Sequence, residues 1–135
     1  MALLSELEKA SNGATVPLSD VLAALPYNAD GLIAAIAQDC DTQAVLMLAW
    51  MDRQAIEMTL ASGFATYYSR SRRAYWRKGE SSGHVQALVT MRFDCDGDAV
   101  LLTVRQTGAA CHTNRATCFY LEVEGQSIRV LGDRP

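Results

Sequence analysis

The chain has 135 residues, 50% of them hydrophobic and 20% charged, and a formal net charge of -3. That length fits one soluble globular domain burying roughly two-thirds of its unfolded surface, and the mild acidity offers no global basic field for nucleic acid. No apolar run approaches the ~20 residues of a membrane span, and residues 1–10 lack a basic stretch leading into an apolar core. A cytoplasmic location is expected, with the four cysteines serving as metal ligands or thiols rather than disulfides.

Residues 1–29 read as a helical N-terminal extension. Leu3, Leu4 and Leu7 have helical spacing before Asn12-Gly13, and Ser19 is placed to cap a short helix, Asp20–Leu25, that stops at Pro26. Residues 30–135 form a single catalytic-type domain. Leu32–Gln38 and Ala44–Trp50 are apolar runs of strand length around an Asp39–Thr42 turn. Asp52 caps a principal helix, Arg53–Ser62, with Gly63 just past its end; Ile56 and Leu60, with Met58 beside them, are expected on its buried side. Strands are expected at Ala65–Ser69, Tyr75–Arg77, Val85–Phe93, Ala99–Arg105, Cys118–Val123 and Ile128–Leu131, with Gly97 in the tight turn between the two longest. The fold class is α+β, rich in mostly antiparallel strands, with one principal helix.

Chemistry concentrates between Trp76 and Phe119. Asp94, Asp96 and Asp98 alternate, and in an extended segment alternate side chains share a face. Three carboxylates on one face suit a hard cation, whereas a solvated acidic turn is the plain alternative. An EF-hand is excluded, because its glycine position holds Ala99 and its bidentate glutamate position holds Arg105. Cys95, Cys111 and Cys118 are soft ligands, and three of them would leave an open position for water, as catalytic zinc requires; buried structural thiols are the competing reading. His112, next to Cys111, suits a general acid or base near neutral pH, a fourth zinc ligand, or a surface position. His84 is open between ligand, phosphate contact and neither. Arg70, Arg72, Arg73, Arg77 and Lys78 surround Tyr75-Trp76 and precede Gly79-Glu80-Ser81-Ser82-Gly83. Arginine forks and a Gly/Ser loop suit phosphate, and Trp76 suits stacking on a flat heterocycle; a solvated basic hairpin with Trp76 in the core is the alternative.

These residues carry a resemblance. Trp76-Arg77-Lys78-Gly79-Glu80-Ser81-Ser82-Gly83 is similar to a W-x-K-G-E-[TS]-S-G signature, Asp94–Asp98 resembles a D-C-D-x-D segment, and Gln106–Thr113 with Cys118-Phe119 resembles a Q-x-G-x-A-C-H-T…C-F block. All three belong, in this order, to the phosphoribosyl-AMP cyclohydrolases of histidine biosynthesis, and the similarity spans about residues 30–123. The chain departs from that pattern at Asn114, where a glycine is usual, and at Ala116-Thr117, where Arg-Ser is typical.

The resemblance implies an intertwined homodimer with active sites at the interface and a monofunctional enzyme acting on a small phosphoribosyl nucleotide. It further implies one zinc per subunit, held by Cys95 of one copy and by Cys111 and Cys118 of the other, and magnesium on Asp94, Asp96 and Asp98. The expected reaction is hydrolysis of the N1–C6 bond of 1-(5-phosphoribosyl)-AMP by zinc-activated water, with His112 moving the proton. Trp76, Arg77, Lys78, Glu80, Ser81, Ser82, His84 and Arg115 are the expected substrate contacts. The alternative is a non-catalytic zinc module for protein interaction, closed by His112. No nucleic-acid or membrane partner is expected.

Overall fold

The computed structural model describes residues 2–135; Met1, the first residue of the N-terminal segment read above, lies outside them. The chain runs α1 (Ala2–Leu7), α2 (Leu18–Ala24), β1 (Ile33–Asp39), β2 (Val45–Met51), α3 (Arg53–Ser62), β3 (Thr66–Ser69), β4 (Ala74–Arg77), β5 (Gln86–Phe93), β6 (Ala99–Gln106), β7 (Leu121–Glu124) and β8 (Ser127–Val130). The main sheet has the order β2-β1-β6-β5, and two hairpins, β3-β4 and β7-β8, stand beside it. Pairing is antiparallel except between β1 and β6, which are parallel at the sheet's centre.

The central pair follows from residue choice. Alternate side chains of β1 (Ile33, Ala35, Ala37) and β6 (Val100, Leu102, Val104) are all buried, the period-2 pattern of a strand with one face in a core. Leu46, Met47 and Met51 of β2, Ile56 of α3 and Tyr67 of β3 join the same cluster. Leu22 and Leu25, at the end of the N-terminal segment, are buried in it as well.

The two ends of α3 form as their sequence dictates. Asp52 Oδ1 accepts from the Ala55 N–H at 2.8 Å, and Gly63, at φ 81°, donates back to the Thr59 carbonyl. The buried stripe differs from expectation. Ile56 is fully buried, but Leu60 and Met58 are both 38% exposed, and Ala55 and Thr59 take the inner positions. The cause is polar. Thr59 Oγ1 donates to the Ala55 carbonyl and accepts from the Thr66 N–H at 3.0 Å, so the helix docks on β3 through a satisfied hydroxyl and turns Leu60 outward. Ser19 likewise does not cap α2. The helix begins two residues earlier, at Leu18, with Pro17 in the cap position and no side-chain cap bond. It ends at Leu25, held extended ahead of Pro26 as expected.

Asp52 does a second job. Its other oxygen accepts from the Tyr75 hydroxyl at 2.5 Å and so fastens the start of α3 to β4. Burial first, and then the Asp52 carboxylate, push the Tyr75 phenol up to about 12. A phenol whose folded pKa exceeds its unfolded value of about 10 contributes stability that is complete below pH 10 and is lost as pH rises towards 12. Burial raises Tyr67 in the same direction. The urea midpoint should therefore drop between pH 10 and pH 12, and Tyr75→Phe should flatten part of that slope.

Candidate active site

Cys111 and Cys118 come together on a loop that the core strands hold in place. The Cys118 N–H donates to the Leu46 carbonyl at 2.8 Å, and Thr117 Oγ1 donates to the Val45 carbonyl at 2.7 Å. This anchoring delays the next strand, expected from Cys118, until Leu121. Between the cysteines the chain turns tightly: the Cys111 N–H meets the Arg115 carbonyl and the Asn114 N–H meets the Cys111 carbonyl. Asn114 sits at φ 69°, the left-handed region that asparagine tolerates better than other side chains. That is how it stands where glycine is usual. Asn114→Gly should therefore leave stability nearly unchanged, while Asn114→Val should cost at least about 1–2 kcal/mol, read from thermal melts of the two variants.

The two thiols lie close enough to perturb each other, in opposite directions. Burial alone would raise the Cys111 thiol, but the Thr113 hydroxyl and N–H, Cys118 and the Arg115 charge outweigh it and hold it below its ordinary value. Cys118 is pushed up to about 11, first because its sulfur is desolvated although the residue stays exposed, and then by Cys111 beside it. Two neighbouring sulfurs on one anchored loop are donor chemistry suited to a soft, borderline cation such as zinc.

Lys78 and His84 tie the earlier motif to this loop. Lys78 Nζ donates to the Ala110 carbonyl at 2.5 Å and lies 5.8 Å from the Trp76 ring. Trp76 rests on Tyr67, with centroids 5.1 Å apart. The Gly79–Gly83 loop closes through a bond from the Gly83 N–H to the Gly79 carbonyl, and Ser82 Oγ accepts from the His84 N–H. A Cβ on Gly79 would lie 2.3 Å from the His84 carbonyl carbon, and one on Gly108 would lie 2.6 Å from the His84 ring. Two glycines therefore let the two motifs close on each other, with His84 between them. Beneath them runs a buried polar chain: Tyr67 Oη donates to Gln86 Oε1 at 2.6 Å, Gln86 Nε2 to Gln106 Oε1 at 2.9 Å, and Gln106 Nε2 to the His84 carbonyl.

His112 is exposed beside Cys111. The Arg115 guanidinium lies over the Tyr120 ring at 4.1 Å. Ser81 is at the exposed tip of its loop. Arg77 and Glu80 face the other way, into a cleft of about 530 Å³ shared with Met58, Ser62 and Tyr75; Arg77 lies 5.8 Å from the Phe64 ring. Cys40 is a turn residue whose N–H donates to the Val104 carbonyl.

Asp94, Asp96 and Asp98 form a separate centre. Their carboxylate oxygens lie within 4.8 Å of one another, gathered by the turn expected at Gly97 and not by alternation along a strand. Asp94 Oδ1 accepts from the Asp98 N–H at 3.0 Å, and hydrogen bonds from its neighbours hold Asp94 low against the opposing pull of partial burial. Asp98 is pushed up to about 6 by sharing a proton with Asp94 and Asp96. Such crowding of carboxylates suits a hard divalent cation.

The two centres sit apart on the main sheet. The aspartate turn precedes Ala99, at the start of β6, while Cys118 lies against Leu46 near the start of β2, level with Leu102 and Thr103 of β6. Three to four residue steps along β6 separate the two levels, roughly 10–13 Å, and β1 lies between β2 and β6 as well. Cys95 is exposed on the aspartate turn, beside Leu4, Leu7 and Val21 of the N-terminal helices. Among the described residues it joins no ligand cluster with Cys111 and Cys118.

The residues that sequence reasoning passed over are mostly those that set the loop: Thr113 and Thr117, the Gln86–Gln106 pair, and Trp50, whose ring lies 4.7 Å from the Arg70 guanidinium. Gln106 opens and Thr113 closes the quoted Q-x-G-x-A-C-H-T block, which was the available signal; Gln86 and Thr117 lie outside the quoted motifs.

Fold and site together define a small α+β domain that gathers thiols at one place on a sheet and carboxylates at another. The family model described as phosphoribosyl-AMP cyclohydrolase matches residues 47–120. The chain is 57% identical over 129 residues to the phosphoribosyl-AMP cyclohydrolase of Alkalilimnicola ehrlichii, covering 96% of this chain and 91% of the relative. It is 60% identical over 128 residues to phosphoribosyl-AMP cyclohydrolase 2 of Pseudomonas fluorescens, covering 95% and 87%, and 61% identical over 108 residues to the Ruegeria pomeroyi protein of the first name, covering 79% and 91%. The chain belongs to the phosphoribosyl-AMP cyclohydrolase family.

Proposed function

We propose that the protein hydrolyses the N1–C6 bond of 1-(5-phosphoribosyl)-AMP, a step of histidine biosynthesis, yielding the formimino aminoimidazole-carboxamide ribonucleotide. The observation that carries this reading is the loop that β2 anchors through Cys118 and Thr117 and that brings Cys111 and Cys118 together, flanked by His112 and Lys78, in a chain of this family. Cys111 and Cys118 would hold zinc together with Cys95 of a second copy, and Asp94, Asp96 and Asp98 would hold magnesium. Zinc, when bound, supplies Lewis acidity that brings the pKa of water towards neutrality. His112 takes the proton of the attacking water as oxygen bonds to C6, and returns one to N1 as the C6–N1 bond breaks. Lys78 and Arg115 supply positive charge beside the thiols, and Trp76 a flat apolar wall for the purine.

A homodimer is supported by two features. Cys95 joins no ligand cluster with the thiol pair of its own chain among the described residues, and it lies on the aspartate turn beside the N-terminal helices. The β7-β8 hairpin exposes more than half of Leu121, Val123, Ile128 and Val130; a lone two-stranded hairpin is marginal in water, and a second copy would cover it. Among the described residues no helix is long and apolar enough to cross a membrane, and all four cysteines are free thiols, in keeping with a reducing cytoplasm.

The test is to follow product absorbance with purified protein, phosphoribosyl-AMP and magnesium, counting zinc in parallel. Turnover that a zinc chelator abolishes and added zinc restores is the expected result. Zinc bound without turnover would favour the closed interaction module instead.

A further inference from the structure

A groove of about 570 Å³ runs along the exposed edge of β2, between Leu48, Ala49 and Trp50 on one side and Trp76 on the other, and ends at the Tyr68–Ser71 turn. Its two walls lead to the thiol pair. On β2, Cys118 is bonded to Leu46, two residues before the groove begins. Next to β4, Lys78, two residues past Trp76, is bonded to Ala110, the neighbour of Cys111. At the far end the Arg70 guanidinium stacks on Trp50 at 4.7 Å. The turn beside it is pre-ordered, because Ser69 Oγ accepts from the Arg72 N–H and lies 3.4 Å from Ser71 Oγ. Four residue steps from Leu46 to Trp50 span roughly 13 Å, enough for a purine plus one ribose phosphate.

We infer that this groove is the subsite for one ribose 5-phosphate arm of the substrate, with Trp76 against the heterocycle and Arg70, held by Trp50, gripping the phosphate beside Ser69 and Ser71. The chemistry follows from the groups present. A guanidinium fork matches phosphate oxygens bidentately and keeps its charge, stacking on indole fixes its plane, and two hydroxyls complete the donor set. The assignment rests on the reaction proposed above and adds what neither the motifs nor the family's name specify: the end of the groove at which the phosphate binds, and Trp50 as a positioning residue.

The experiment pairs kinetics with binding. Arg70→Ala should raise KM about 10- to 100-fold, with kcat changed far less, because hydrogen bonds to a charged group are lost from bound substrate and transition state alike. Arg70→Lys should recover only part of that loss, and both variants should keep the wild-type melting temperature and zinc content. Zinc-depleted protein should bind AMP or ribose 5-phosphate with a change in Trp50 and Trp76 fluorescence that Arg70→Ala weakens. Loss of AMP binding alone assigns the purine-linked arm, and loss of ribose 5-phosphate binding alone assigns the N1-linked arm. Unchanged KM together with unchanged affinity for both probes, in a variant that still turns over substrate, overturns the subsite and leaves the reaction standing. Absence of turnover in the wild-type protein would instead strike at the reaction itself.

Discussion

Replacing Cys118 with alanine is expected to abolish measurable turnover and to empty the zinc site, leaving the fold intact. Cys118 is exposed, so its side chain is not a core element, and the loop around it is held by backbone and by Thr117, bonded to Val45 and Leu46. What the substitution removes is one of the two thiols that this chain brings together. A single remaining Cys111 with Cys95 of a second copy gives two soft ligands, too few for a stable tetrahedral site. Loss of the metal removes its activation of water, and activity should fall by at least about 10³-fold. Metal content, circular dichroism and rate measured on the same sample separate this outcome from unfolding. Thr117→Val is the graded companion: the cysteine remains but its anchor to β2 goes, and zinc affinity should fall about 10- to 100-fold, the range expected for a lost supporting contact.

His112→Ala should lower kcat by about 10²- to 10⁴-fold, the usual contribution of a positioned proton carrier, while zinc stays at about one per chain. The imidazole is exposed and the neighbouring Cys111 is buried. Loss of zinc along with activity would make His112 a fourth ligand and favour the closed module. A loss of kcat with retained zinc is what the catalytic role requires.

Much of the fold was legible because its signals are local. Asp52 and Gly63 bracket α3 through their own side-chain and backbone geometry, and the alternation of Ile33, Ala35 and Ala37 marks a half-buried strand. The inner face of α3 was not legible, since Thr59 earns its buried place from a partner on β3, Thr66, that helical periodicity does not see. The parallel pairing of β1 with β6 likewise depends on which strands meet across more than 60 residues. At the site, the cysteines, His112 and the aspartates were visible as residue types at recognisable spacings. The turn at Gly97 was legible too, but the distance between the aspartates and the Cys111–Cys118 pair was not, because it depends on how β6, β1 and β2 align. The same turn explains why Cys95 faces the N-terminal helices and not its own thiol partners.

The central claim is that one working site draws on two copies of the chain, and mixing two inactive variants tests it. Cys95→Ala and Cys118→Ala are each expected to be inactive. When they are unfolded together and refolded, half the dimers should be mixed, and each mixed dimer holds one site with both substitutions and one with neither. Activity and zinc should therefore return to about a quarter of the wild-type level. If the mixture stays inactive although mixed dimers are shown to form, Cys95 and Cys118 serve the same chain's site, and the shared centre proposed here is wrong.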